Sequence, residues 1–287
     1  MPQTWLVVGA SRGIGLEFTT QLLLRGETVI ATKRSASESL DALLETPNGK
    51  KNLTVLRCEV RYETSIKNFA LEVGKLGEEG GVLEGGVIDY VVINAGVLQY
   101  PNRISDVSFT SFTHHLTTNT IGPLQTASTL LSLPLHIKTL IFISSDSGSA
   151  QAFLSHEDGF GAYAASKAAL NQGLRHLSFE MHRKYVASKS LNESGGGGKS
   201  GSAKGKTVVL ALHPGEVSTD MVADINLGWE VKGVIGVRES VSGCLGVIGE
   251  KGFGGVDEGG WSSVEEGRED EEGAATFWTW DGRRYPW

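Results

Sequence analysis

Short unbroken apolar runs alternate along the chain with stretches whose apolar positions fall three and four residues apart. Residues 5–8 (WLVV), ending at Gly9, read as a buried strand. Ile14, Phe18 and Leu22 then recur at helical spacing up to Gly26, a glycine suited to closing a helix. The β-branched segment 28–32 (TVIAT) predicts a second strand and residues 53–56 a third. Ile66, Phe69, Ala70, Val73 and Leu76 mark a further amphipathic helix. Residues 87–93 (VIDYVVI) are apolar except at Asp89, and segments 139–143 and 207–212 complete six predicted strands. Strands that are apolar without alternation must be covered on both faces. The expected architecture is therefore α/β, a parallel sheet between two helix layers.

Three segments interrupt the alternation: 74–86, 188–205 and 249–273, all rich in glycine. Strand-forming or motif-bearing sequence resumes after each, so they read as loop insertions in one domain spanning 1–287, the middle one disordered. The formal net charge is -7, and the 250–272 stretch alone carries nine acids against two bases. The rest is balanced, so a nucleic-acid surface is not expected and the acidic tract reads as a solvated loop. The two cysteines, Cys58 and Cys244, have no metal-ligand spacing around them, and no metal is expected. No run reaches the ~18 apolar residues of a spanning helix. With no secretory leader in view, a soluble cytoplasmic protein without membrane contact is expected.

The chemistry begins at Gly9-Ala10-Ser11-Arg12-Gly13-Ile14-Gly15, between the first strand and the first helix. Glycines there allow a tight turn and close approach of backbone to a pyrophosphate, which the helix N-terminus attracts. The domain is then a Rossmann-type doubly wound sheet. An acid about 20 residues on would mark NAD, but the second strand ends Thr32-Lys33-Arg34 and the next acid is Glu38. Arg12 and Arg34, with Lys33, would instead meet a 2′-phosphate, pointing to NADP(H). Solvated surface bases are the competing reading. Gly198-Lys199-Ser200 imitates the end of a phosphate-binding loop, but no strand precedes it and Glu193 stands where its first glycine belongs.

Tyr163, Lys167, Leu170, Leu174, Leu177 and Met181 share one helical face. The pair thus sits on an apolar stripe, where an unpartnered lysine is rare. Moving a phenol's proton near neutrality takes about 4 kcal/mol, which one cation at ~4 Å with an effective dielectric of ~20 would supply. Ser144 and Ser145 follow the 139–143 strand, at the edge where open α/β sheets bind ligands. A hydroxyl there would hold a carbonyl oxygen beside Tyr163, though serine also serves ordinary turns. Phe109, Phe112, Leu116 and Asn119 share helical spacing, placing the amide on a core stripe before Gly122-Pro123 disturbs the helix. Such an amide needs partners; water bridging to Lys167 is one arrangement and a purely structural role is the other.

Together these motifs resemble the short-chain dehydrogenase/reductase family. The matching segments are GASRGIG at 9–15, INAG at 93–96, NTIGP at 119–123, ISS at 143–145, YAASK at 163–167 and HPGEVSTDM at 213–221. They occur in the family's order. The aromatic ending, from Phe277 to Trp287, is similar to the C-factor and sniffer-like carbonyl reductases. The resemblance implies an NADP(H)-dependent oxidoreductase acting on a small carbonyl or alcohol, and apolar residues of the expected pocket such as Leu98 and Phe153 point to a hydrophobic one. It gives Tyr163 the role of general acid/base. Lys167 would lower the Tyr163 pKa and hold the nicotinamide ribose, Ser145 would orient the carbonyl, and Asn119 would support a water relay. It also implies that Asn94, Ala95, Gly96, Pro214, Gly215, Val217 and Thr219 line the cofactor. Glu59-Val60 stands where the family usually has Asp-Val against the adenine, while Ile93 and Val8 replace a usual Asn and Thr. The substrate pocket is expected from Leu98, Tyr100, the 147–161 segment with Phe153 and His156, and residues 221–229. Family members are monomers, dimers or tetramers, so a homo-oligomer is compatible. A non-catalytic NADP-binding protein on the same fold is the alternative function.

Overall fold

The computed structural model describes residues 2–193, 205–219, 231–263 and 271–287. Seven parallel strands form one sheet in the order β3-β2-β1-β4-β5-β6-β7. They are β1 (Thr4–Val8), β2 (Thr28–Lys33), β3 (Leu53–Arg57), β4 (Val87–Ile93), β5 (His136–Ile143), β6 (Val208–His213) and β7 (Thr276–Thr279). The order reverses between β1 and β4, so their C-terminal ends flank the crevice where such sheets take ligands.

Both faces are buried, as the unbroken apolar runs require. On one face Leu6, Val8, Val91, Ile93, Leu140 and Phe142 pack against α4 (Glu63–Lys75), α6 (Gly122–Ser132) and α7 (Gly161–Glu193) through Phe69, Leu130, Leu170 and Leu174. On the other, Trp5, Val7, Val92 and Leu212 meet α1 (Gly13–Leu24) and α8 (Val237–Lys251) through Phe18, Leu22, Val241 and Ile248. Asp89, the polar exception in β4, accepts from the Thr4 amide at 2.8 Å and pairs with Lys138 at 2.7 Å.

Several elements depart from the sequence reading. The short helices α2 (Glu38–Glu45) and α3 (Pro47–Asn52) were not expected, although Ser37 and Thr46 cap them with side-chain oxygens. β7 is a seventh strand, unforeseen because four residues give too little pattern; its Trp278 is fully buried. The stripe on α5 (Phe109–Leu116) is also different, with Phe109 87 % exposed. A π-turn over Thr117–Ile121 follows α5 directly and shifts the helical register. Asn119 reaches the core through this turn, and Gly122-Pro123 sit where α6 resumes.

The three insertions hold more structure than expected. Segment 74–86 begins in the last residues of α4 and continues as a run of turns that buries Leu83. The stretch assigned to disorder at 188–205 begins inside α7, which continues to Glu193 because the first of its glycines comes only at 195. Residues 194–204, with Gly198-Lys199-Ser200, lie outside the described residues. The acidic tract is not wholly solvated either. Lys251, buried at the end of α8, pairs with Glu250 and Asp257 and stands 4.6 Å over the Trp278 ring. Glu258 opens a short 3-10 turn (Glu258–Ser263) and pairs with Lys206 at 2.9 Å. No helix among the described residues is long and apolar enough to cross a membrane.

Phe142 lies fully buried mid-sheet, between β4 and β6. Phe142→Ala is expected to cost about 3–5 kcal/mol, read as a lowered denaturation midpoint in urea.

Candidate active site

The loop after β1 is built around close backbone contact. Gly9 has φ +88°, and a Cβ there would stand 2.8 Å from the Ala95 amide nitrogen. A Cβ on Gly15 would stand 2.1 Å from the Gly9 carbonyl oxygen and 2.6 Å from the Asn94 amide. Side chains brace the turn from three sides. Thr32 Oγ1 accepts from the Gly9 amide at 2.9 Å, Asn94 Nδ2 donates to the Gly9 carbonyl at 2.8 Å, and Ser37 Oγ donates to the Ser11 carbonyl at 2.8 Å. Arg12 precedes α1 without giving it a side-chain cap. First-turn amides of an uncapped helix are open to an anion.

The basic residues beyond the loop separate into two groups. Arg12 and Arg34 are exposed, whereas Lys33 is engaged in an ion pair with Asp41 of α2. Glu59 accepts two bonds from the Arg61 guanidinium, each 3.0 Å. Those bonds, with some attraction from Arg34, hold its carboxyl below the usual range. Val60 is buried, its carbonyl so close to the start of α6 that a Cβ on Gly122 would stand 2.5 Å away.

A cavity of about 800 Å³ opens at the C-terminal ends of β4, β5 and β6. It takes in Ile14, Asn94, Gly96, Pro214, Gly215, Val217 and Thr219, together with Ser145, Tyr163 and Lys167. The remaining glycine-loop residues, Lys33, Arg34, Glu59 and Val60 are not among its walls. Thr219 closes on the glycine loop: a Cβ on Gly13 would lie 3.7 Å from its methyl group. Residues 221–229 lie outside the described residues.

Tyr163 is placed by α7, whose first turn is fastened by a distant residue. The buried Asn102 accepts the Ala162 amide on its carbonyl and the Tyr163 amide on Oδ1, each at 3.0 Å. One helical turn on, Lys167 donates from Nζ to the Ile143 carbonyl at 2.8 Å, and its Nζ lies 5.8 Å from the Tyr163 ring centre. Asn171, a further turn along, accepts from Ser144 Oγ at 2.6 Å and donates to the Gly148 carbonyl at 3.1 Å.

The electrostatics correct one expectation. The Tyr163 phenol is pushed up, not down, from its ordinary value. Burial is the main cause, opposed by a hydrogen bond with Ser145 and reinforced by Asp146, Glu216 and Glu157. Burial also brings Lys167 down to about 8. The lysine's partner here is a carbonyl, and desolvation dominates both groups.

Asn119 is held by three hydrogen bonds. Its Oδ1 accepts from the Val97 amide at 2.8 Å, and its Nδ2 donates to the Val97 carbonyl and to Ser166 Oγ, each at 2.9 Å. It remains near Lys167: a Cβ on Gly96 would lie 3.5 Å from Asn119 Oδ1 and 3.7 Å from Lys167 Nζ. His115 supports the same loop, its Nε2 accepting from the Gln99 amide at 3.1 Å.

The outer pocket also differs from expectation. Leu98 and His156 line it, with Val97, Leu154, Phe160, Val231 and Val234. Phe153 is 81 % exposed and not a wall; Tyr100 stands behind Phe160, ring centres 5.6 Å apart. The sequence reading missed a polar side formed by Asp146, Glu157, His213 and Glu216. Burial and then Asp146 raise Glu157 to about 7. Glu216, whose residue is exposed at the rim while its carboxyl turns into the cavity wall, is likewise raised to about 7, by desolvation and then by Asp146 and Glu157. Burial holds His213 low; its Nδ1 accepts from the Asp146 amide at 3.2 Å. Both cysteines are buried, with thiols pushed up to about 12, which leaves them poor nucleophiles.

The family model described as short chain dehydrogenase matches residues 3–193. An uncharacterized oxidoreductase of Saccharomyces cerevisiae is 30% identical over 223 residues, covering 76% of each chain. The crystal structure of an NADPH-bound carbonyl reductase from chicken fatty liver aligns with a TM-score of 0.70 at 28% identity, covering 100% of this chain and 99% of that one. The sniffer carbonyl reductase of Drosophila melanogaster shares the fold, with a TM-score of 0.67 at 21% identity and complete coverage of both chains.

Removing the Asn119 amide leaves both backbone groups of Val97 without their partner. Asn119→Ala is expected to lower stability by about 2–4 kcal/mol, measured by equilibrium urea denaturation.

Proposed function

The chain belongs to the short-chain dehydrogenase family, and on that premise we propose that it is an NADP(H)-dependent oxidoreductase interconverting a small carbonyl compound and its alcohol. The meeting of Tyr163 and Ser145 on one cavity wall, with Lys167 one helical turn behind and the glycine loop opposite, carries this reading.

The residues present fit a dinucleotide phosphate. The turn at Gly9 and Gly15 is a cradle that side chains would fill, and the first-turn amides of α1 have no side-chain cap and are open to an anion. Arg12 and Arg34 are the exposed cations for a 2′-phosphate, with Lys33 secondary because Asp41 already pairs with it. Asn94, Ala95, Gly96, Pro214, Gly215, Val217 and Thr219 would flank the nicotinamide half. When bound, NADP(H) supplies or accepts the hydride. Ser145 donates a hydrogen bond to the substrate oxygen, and the Tyr163 phenol gives that oxygen its proton in reduction or takes it in oxidation. Lys167 keeps a positive charge beside them, and Asn119 fixes the Val97 loop that walls the site. The substrate's body packs on Val97, Leu98, Leu154 and Phe160, while its far end meets the acidic side. That lining supports a small substrate with an apolar body and a polar far end.

Tyr163→Phe is expected to lower NADPH-dependent reduction of a ketone and aldehyde panel by at least about 10²-fold, while NADPH binding persists. Undiminished turnover would refute the assignment. Arg12→Ala and Arg34→Ala are each expected to reduce the preference for NADPH over NADH roughly ten-fold, read as a ratio of kcat/KM values.

A further inference from the structure

We propose that Ser147 and Glu157 extend the Tyr163–Ser145 pair into a proton relay whose outer terminus is the Glu157 carboxyl. The inference rests on the oxidoreductase reading above and adds two residues that the family motifs do not contain.

The geometry is a row of hydroxyls that starts where Tyr163 and Ser145 share the cavity wall. Ser145 Oγ lies 3.2 Å from Ser147 Oγ, and Ser147 Oγ donates to Glu157 Oε1 at 2.8 Å. For reduction the donors point inward, from the protonated Glu157 carboxyl to Ser147, Ser147 to Ser145 and Ser145 to the phenol oxygen, which leaves the phenol hydrogen for the substrate; the opposite orientation serves oxidation. Asn119 is bonded to Val97 and Ser166, and Lys167 gives one of its three donors to the Ile143 carbonyl, so the hydroxyl row through Ser147 is a second path beside theirs.

The proton count balances in both directions. In reduction the substrate oxygen takes the phenol proton. The tyrosinate takes the Ser145 proton, Ser145 takes that of Ser147, and Ser147 takes the proton of the Glu157 carboxyl. Glu157, now a carboxylate on the partly exposed outer segment, is reprotonated by water. Oxidation runs the same transfers in reverse.

Glu157 suits this task because it titrates near neutrality. Burial and Asp146 raise it to about 7, against the downward pull of the Ser147 hydrogen bond. The titratable groups around it are Asp146 from the turn after β5, Glu216 from the loop after β6, Tyr163 from α7, Tyr285 from the C-terminal segment and the neighbouring His156. Asp146 offers Ser145 a branch, with Oδ1 at 3.2 Å, but also accepts from the Ser147 amide at 2.8 Å.

The test is the pH profile of kcat for NADPH-dependent carbonyl reduction. In the parent protein kcat is expected to fall about ten-fold per pH unit above a midpoint near 7, because reduction needs a protonated Glu157. Glu157→Gln is expected to abolish that limb and lower kcat roughly ten- to a hundred-fold, with KM for NADPH unchanged. Ser147→Ala breaks the chain at a different atom and is expected to do the same, and Ser147→Thr to bring the limb back. If Glu157→Gln does not fold, judged by NADPH binding and thermal melting, the two Ser147 variants decide. A limb that persists in Glu157→Gln or Ser147→Ala, or one lost in Asp146→Asn alone, overturns the relay and leaves the oxidoreductase reading standing. A parent protein that turns over no member of the carbonyl panel overturns both.

Discussion

Where β5 ends, the chain passes α7 at a distance that admits no side chain. A Cβ on Gly148 would stand 2.7 Å from the Lys167 Cβ and 2.8 Å from its backbone carbon. Only because the turn after β5 presses this closely can Lys167 reach the Ile143 carbonyl and Asn171 grip Ser144 and Gly148 from the same helix face. The contact therefore sets strand end and helix in one register. Ser145 is held on the strand side and Tyr163 on the helix side, and their meeting follows from backbone packing rather than from attraction between them. Asn102 completes the constraint by fixing the first turn of α7, so that the phenol is positioned by a residue 61 places earlier in the chain.

Much of this was legible in the sequence because it is written in local periodicity. The Tyr163–Lys167 stripe, the strand leading into Ser145 and the glycine turn each depend on residues within a few positions of one another. So do the unbroken apolar runs that fix a two-faced sheet. What was not legible depends on contacts between distant segments. Nothing near Asn102 announces that it caps α7, and nothing near Glu157 announces its bond to Ser147. The π-turn is an intermediate case. Gly122-Pro123 signalled a disturbance, but a straight helical count put Phe109 on the buried side, and one extra residue per turn undoes that count. Helices α2 and α3 had readable caps in Ser37 and Thr46, yet they are too short for periodicity to outweigh loop-like composition. The acidic tract misled in a different way. Its charges are mostly exposed in sequence terms, but Lys251 and Asp257 are drawn inward because the Trp278 ring and two carboxylates receive the ammonium.

The titration of the site shows why proximity alone was a poor guide. A cation near a phenol favours the phenolate only if its attraction exceeds the cost of burying the resulting charge. Here Tyr163 and Lys167 are both desolvated, and Asp146, Glu216 and Glu157 add to the cost of a phenolate. The chain by itself thus favours the neutral phenol and weakens the hold of Lys167 on its proton. A neutral phenol is a hydrogen-bond donor. On the proposed function, the resting site is prepared to protonate an oxygen rather than to remove a proton from one.

That preference creates a demand that the outer pocket is arranged to meet. A phenol that gives up its proton becomes the least favoured species in the cavity, since burial and Asp146, Glu157 and Glu216 all oppose a phenolate. It must be reprotonated quickly, and the nearest reservoir should bind its proton near neutrality, neither far more tightly nor far more loosely. The same burial that raises Tyr163, with the carboxylates adding to it, also raises Glu157 and Glu216 into that range. Burial, reinforced by an acidic wall, therefore accounts for a phenol that holds its proton and a carboxyl able to return it. The hydroxyls of Ser145 and Ser147 span the gap between them.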